Sequence, residues 1–175
     1  TVTKAPGSPL SLRVRVPAWA SGDATLTLNG KPVQANTRPV SYATVHRQWK
    51  SGDVLEVTIP MSVRTELLRG TNDQFAFVYG PVVLAGDLGP APTGPTVPYT
   101  NEQTANLKAD SVPVPTLAGD PQQLAASLRR VPGGQLAFKL TTHQPRKEIT
   151  LRPFHELDYQ RYTVYWTTVP AGQAE

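Results

Sequence analysis

The chain has no cysteine and only one methionine among its 175 residues. Without cysteine these residues can form no disulfide, no thiolate zinc site and no cysteine nucleophile. The same absence leaves the compartment open, because exported bacterial proteins also dispense with cysteine; a cytoplasmic and a periplasmic or secreted setting both fit. Long apolar runs are missing too. The longest, such as Val82–Ala85, fall far short of the ~20 residues of a membrane-spanning helix, so no membrane partner is expected. Thr1-Val2-Thr3-Lys4 is not backed by the apolar core of a signal peptide, and none is expected. Charge is sparse at 17%, against 39% hydrophobic residues, which suits a folded core and argues against disorder. The net charge of +4 comes from scattered basic residues. Pairs such as Arg13/Arg15 and Arg129/Arg130 suit a solvated surface, without the basic face and stacking aromatics that nucleic acid requires. No nucleic-acid partner is expected.

What the chain does have is alternation. Leu10, Leu12, Val14 and Val16 alternate with Ser11, Arg13 and Arg15, the period of a strand with one wet face. Pro17 cannot donate to a ladder and should end that strand. Thr25–Leu28 reads as the next strand, and Asn29-Gly30 supplies the positive φ angles of a tight hairpin. Tyr42–Trp49 and Val54–Ile59 flank Lys50-Ser51-Gly52-Asp53, a second turn with Gly52 at its left-handed position. Phe75–Tyr79 and Pro81–Leu84 follow. Helical periodicity is absent, and the fold class is all-β.

Gly89-Pro90-Ala91-Pro92-Thr93-Gly94-Pro95-Thr96-Val97-Pro98 is too rich in Gly and Pro for regular structure and reads as a linker or strap. Beyond it, Asp120-Pro121 is a helix start: an acceptor at the cap and a preset φ at the first helical position. Leu124 and Leu128 place a short helix to about Arg130, ended by Pro132-Gly133-Gly134. Leu136–Leu140, Glu148–Arg152 and Arg161–Trp166 read as strands, the last with Tyr162, Val164 and Trp166 on one face. The expected organisation is a β-sandwich over residues 1–88, a Pro/Gly-rich linker over 89–111, and over 112–175 a smaller β-rich lobe with one short helix.

Candidate chemistry is thin. Glycoside hydrolysis needs two carboxylates facing each other at roughly 5–10 Å. Glu66, Asp73, Asp87, Glu148, Glu156 and Asp158 lie in turns or at strand ends, where acids usually cap and solubilise. His46, His143 and His155 have no second metal ligand at helix or hairpin spacing. His46 shares a strand face with Tyr42 and Thr44 and reads as a partly buried packing residue. No nucleophile elbow and no phosphate-binding glycine loop occur. Trp49 and Trp166 sit at strand parities that point to a core. Trp19, in the loop after Pro17, is the candidate carbohydrate-binding residue, since aromatic rings stack on the apolar faces of sugars.

Several segments together carry a family resemblance. They are Arg15-Val16-Pro17-Ala18-Trp19, Leu28-Asn29-Gly30, Arg47-Gln48-Trp49-Lys50-Ser51-Gly52-Asp53, Ile59-Pro60-Met61 and Tyr79-Gly80-Pro81-Val82-Val83. Leu151-Arg152-Pro153-Phe154-His155-Glu156-Leu157 and Arg161-Tyr162-Thr163-Val164-Tyr165-Trp166 follow in the expected order. The chain resembles the β-sandwich region that follows the catalytic barrel in β-L-arabinofuranosidase-type glycoside hydrolases, family 127 and its relatives. The resemblance implies an upstream (α/α) barrel of the same polypeptide, in which a zinc-bound cysteine is the nucleophile. With no cysteine here, no catalytic residue and no metal ligand carry over, and any zinc belongs to the parent's catalytic domain. The expectation is a bacterial, non-catalytic accessory region whose partner is that barrel. A carbohydrate-binding module acting on glycan, and a fibronectin-like protein-interaction domain, are the alternatives.

Overall fold

The computed structural model describes residues 1–71, 73–90, 112–158 and 160–169. Among the described residues the fold is all-β with one short α-helix, and the chain divides into two compact units, Thr1–Ser62 and Val63–Glu175.

The first unit is a small two-layer sandwich. One layer pairs β1 (Leu10–Val16) with β4 (Ser41–Arg47), antiparallel from Leu10↔Arg47 to Val16↔Ser41. The other is β2 (Thr25–Leu28), flanked by β3 (Lys31–Pro32) and β5 (Leu55–Thr58). The strand period sends Val16, Ala43 and Val45 from one layer and Leu26 from the other into a shared core, closed by Trp49. Trp49 is buried, and its indole N–H donates to the Leu10 carbonyl at 2.8 Å, so the large ring leaves no orphaned donor. The turns form as their residues dictate. Asn29 and Gly30 both take positive φ (50° and 76°), the signature of a two-residue hairpin turn, and Gly52 sits at φ 90°. The alternation of β4 points His46, Tyr42 and Thr44 outward. His46 is therefore exposed, not partly buried as expected, and its Nδ1 lies 2.8 Å from the Ser11 hydroxyl on the neighbouring strand.

The second unit is one large curled sheet. It comprises β6 (Val63–Leu67), β7 (Gln74–Tyr79), β8 (Val82–Pro90), β9 (Leu117–Ala118), β10 (Arg129–Arg130), β11 (Phe138–Thr141), β12 (Glu148–Pro153), β13 (Gln160–Thr163) and β14 (Tyr165–Val169). Its main path runs β10-β11-β12-β8-β7-β14-β9, with β13 on β8 and β6 on β7. The core gathers Phe75, Phe77, Leu84, Leu117, Phe138, Leu140, Ile149, Leu151 and Trp166. Phe75 and Phe77, two residues apart, share the inner face with ring centroids 5.3 Å apart, edge to face. The helix α1 (Pro121–Ser127) is capped as its sequence demands: the Asp120 carboxylate accepts from the amides of Gln122 and Gln123 at 2.9 and 3.0 Å.

Three expectations need correction. The division at residue 88 does not match the structure. Residues 63–88 belong to the second unit, because β6, with its own alternation Val63/Thr65/Leu67, pairs along β7, and β8 pairs with β12 and β13. The expected linker 89–111 lies outside the described residues except for Gly89 and Pro90, which end β8. The helix stops at Ser127; Arg129 and Arg130 form a short strand against Lys139 and Phe138. Finally, Arg161–Trp166 is not one strand. β7 and β8 pair only from Tyr79↔Val82 to Phe77↔Leu84 and then part, and the closing segment of the chain fills the fork. It pairs with β8 as far as Thr163↔Gly86, changes partner at Val164, and pairs with β7 from Tyr165↔Ala76 onward. The change of partner breaks the parity, so Trp166 is fully buried while Tyr162 is 46% exposed.

Candidate functional site

The sequence candidates do not converge. Glu66 is ion-paired with Arg64 on its own strand, Glu148 with Lys139 across the β11–β12 pair at 3.0 Å, and Glu156 lies 4.0 Å from Arg152 one turn away. Asp87 accepts the Gly89 amide at 2.9 Å, a local turn contact. Asp73 and Asp158 lie outside strands and helices, and Asp158 is exposed. The four partnered carboxylates make local contacts within turns and along strands. His155 is exposed on the 3-10 turn Phe154–Glu156. His143 is placed by its backbone, whose amide donates to the Thr116 carbonyl at 2.8 Å. Among the described residues no three His, Cys, Asp or Glu side chains gather as metal ligands. With no cysteine in the sequence, the residues here do not fit the zinc–cysteine centre that the resemblance implies for the parent.

The tryptophans separate cleanly. Trp49 and Trp166 are core residues at 2% and 0% exposure. Trp19 is half-buried and packs against the first unit's core, so only part of its ring faces solvent.

The charged residue that sequence reading passed over is Asp53. It is buried, accepts from Asn29 Nδ2 and from the Lys50 amide, both at 2.9 Å, and has Arg47 at 3.6 Å. The Asn29 hydrogen bond, then the Lys50 amide, hold its carboxyl below the ordinary value; burial opposes them, and the charges of Arg47 and Lys50 add to the lowering. Arg47 also lies over the Trp49 ring, 5.5 Å from its centroid. This constellation is a lock between turns, with every charge partnered. It explains why the Asn-Gly and Ser-Gly-Asp landmarks occur together.

The surface feature that stands out lies on the second unit's outer face. Where β7 and β8 part, an open cleft of about 510 Å³ is lined by Val83, Phe154, Tyr162, Thr163, Val164 and Tyr165. A neighbouring cleft of about 380 Å³ shares Val83, Val164 and Tyr165 and extends past Ala76 and Val78 to Glu66, Leu67 and Arg69. Phe154 and Tyr162 stand 5.1 Å apart at 57°. Sequence reading missed this cluster because it assigned Tyr162 and Trp166 to one face. The signal was present in Arg161–Trp166, whose aromatics at 162, 165 and 166 do not fit a single period of two.

Residues 1–61 match the family profile described as the middle domain of GH127 β-L-arabinofuranosidase, and residues 64–168 match a domain of unknown function, DUF4986. The junction between the two matches coincides with the boundary between the units. No curated protein matches. Solved structures share the fold. One described as a glycoside hydrolase aligns with a TM-score of 0.59 at 19% identity, over 93% of this chain and 28% of its own. A GH127 β-L-arabinofuranosidase from Geobacillus stearothermophilus T6 gives 0.55 at 16% identity, over 93% and 27%. A GH127 β-arabinofuranosidase gives 0.57 at 17% identity, over 95% and 29%. The chain thus spans less than a third of the solved chains it matches; its residues 1–61 match the GH127 β-L-arabinofuranosidase middle domain, and through residues 64–168, more than half of its length, it belongs to the DUF4986 family, a domain of unknown function.

Proposed function

We propose that this chain is the non-catalytic accessory region of a glycoside hydrolase of the β-L-arabinofuranosidase type, packing on and supporting a catalytic barrel of the same polypeptide. The observation that carries this reading is coverage: nearly all of the chain aligns, but with only about 28% of a solved glycoside hydrolase. The chemistry agrees with it. The family's nucleophile is a cysteine, which the sequence lacks, and four of the six candidate carboxylates are engaged in local contacts.

The test has two arms. The purified 175-residue chain should release no sugar from aryl β-L-arabinofuranosides, with or without added zinc. Deleting the equivalent region from a full-length homologue should abolish soluble expression or activity. Turnover by the chain alone, lost on changing one of its own carboxylates, would overturn the proposal.

A further inference from the structure

We infer that the outer face at the β7–β8 fork is a binding site for a neutral oligosaccharide, with Tyr162, Tyr165 and Phe154 as stacking platforms. This goes beyond the accessory role and does not depend on it, since the readout is binding to this chain rather than hydrolysis by any parent.

Four features point to that ligand chemistry. The first is clustering: Phe154, Tyr162 and Tyr165 are 42%, 46% and 48% exposed, and all three line one cleft beside exposed Val83. Singly scattered apolar residues are ordinary on a surface, whereas a contiguous patch marks an interaction site. The second is neutrality. Among the described residues, the six that line the first cleft carry no Lys, Arg, Asp or Glu, so they offer a phosphate backbone or an acidic peptide no counter-charge.

The third is the kind of surface. Three aromatic rings dominate it, two ending in hydroxyls that have no hydrogen-bond partner among the described residues. A ring face beside a free hydroxyl complements a sugar, which presents an apolar C–H face edged by hydroxyls. The fourth is preorganisation. Tyr162 is carried on β13, held against β8, and packs on Phe154 at 5.1 Å. The Thr163 hydroxyl donates to the Tyr165 carbonyl at 2.8 Å and so braces the corner from which Tyr165 projects. Rings fixed in place lose little freedom on binding. The volume of about 510 Å³ is within the range of small-ligand sites. The adjoining cleft lengthens the groove toward Glu66 and Arg69, an acceptor and a donor for sugar hydroxyls beyond the first ring.

The experiment titrates the 175-residue chain with soluble oligosaccharides of glucose, xylose, galactose and L-arabinose, followed by calorimetry and by gel retardation in the matching polysaccharides. At least one should bind. Tyr165→Ala, Tyr162→Ala and Phe154→Ala should each weaken that binding roughly two- to tenfold. Tyr42→Ala, which removes an exposed tyrosine of the first unit, should leave it unchanged. Melting curves of each variant show that the fold is retained, and the three ring variants back one another should one not fold. Failure of every sugar to bind, or loss of binding with Trp19→Ala but not with the ring variants, would overturn the inference. So would a dimer of the chain that Tyr165→Ala converts to monomer, because the face would then be covered by a second copy.

Discussion

Asn29 and Asp53 join the two turns of the first unit: Asn29 Nδ2 donates to Asp53 Oδ1 at 2.9 Å, while Asn29 Oδ1 accepts from the Val54 amide at 2.8 Å. The Asp53 carbonyl accepts from the Val2 amide at 2.8 Å, and the Gly52 amide donates to the Val2 carbonyl at 2.9 Å, so the chain start is tied to the same corner. Asn29 thus does two jobs, taking the left-handed turn conformation and bridging to β5. Asn29→Asp should be worse than Asn29→Ala, because it puts a second carboxylate against a buried one. Both should lower the melting temperature of the first unit by several degrees, with the order read by circular dichroism.

Asp53 gives that lock a pH dependence. Its folded carboxyl titrates below the ordinary 3.8 because Asn29 and the Lys50 amide stabilise the anion. A lowered folded pKa means that the unfolded chain binds the proton more readily. The stabilisation is therefore complete above the ordinary value and is lost as pH falls through the folded one. The melting temperature of the parent chain should exceed that of Asp53→Asn at pH 6, and the gap should close below about pH 3.8. A gap that persists unchanged to pH 2 would show that the carboxylate charge is not what stabilises the corner.

Gly86 and Trp166 make the tightest demand in the second unit. A Cβ at Gly86 would meet Trp166 Cζ2 at 2.5 Å and Cη2 at 2.8 Å, with Ile149 Cγ2 at 3.3 Å. The fully buried indole cannot swing away, so the clash falls on packed core. Gly86→Ala should destabilise by about 1–3 kcal/mol through overpacking. Trp166→Ala, which empties the same space, should cost ~3–5 kcal/mol. Trp19→Ala, at a half-buried loop position, should cost less than either. Chemical denaturation of the three variants gives the ranking directly.

What the sequence shows depends on how local the causes are. The turns at Asn29-Gly30 and Gly52, the Asp120 cap, the parity of β1 and the core position of Trp49 follow from side chains acting on their own neighbourhoods. The fork is not local. Whether Arg161–Trp166 pairs with one strand or two depends on where β7 and β8 diverge, some 80 residues away in the chain. That is also why the aromatic cleft was missed: Tyr162 and Tyr165 share the outer face only because the parity breaks at Val164. The domain boundary failed for a related reason. A Pro/Gly-rich stretch is the strongest local break in the sequence, but β6 had already opened the second unit at Val63, where nothing local marks a border.

That boundary can be tested by dissection. The pair of fragments 1–62 and 63–175 cuts between the two units and leaves each core whole: Val16, Leu26, Val45 and Trp49 on one side, Phe75, Phe77, Leu84 and Trp166 on the other. A cut after residue 88 instead removes β6, β7 and nearly all of β8 from the larger sheet. β13 then loses its partner, β12 and β14 each lose one of two, and Phe75, Phe77 and Leu84 are exposed on the wrong fragment. Fragment 63–175 should therefore give a cooperative melt and dispersed NMR amide signals by itself. Fragment 112–175 should be unfolded, since an unpaired set of strand edges with half a core cannot offset its chain entropy. Fragment 1–88 should aggregate or show a disordered tail beyond residue 62. If 112–175 folds cooperatively while 63–175 does not, the core that holds the second unit together lies beyond the forked hairpin, and the two-unit division at Ser62/Val63 is wrong.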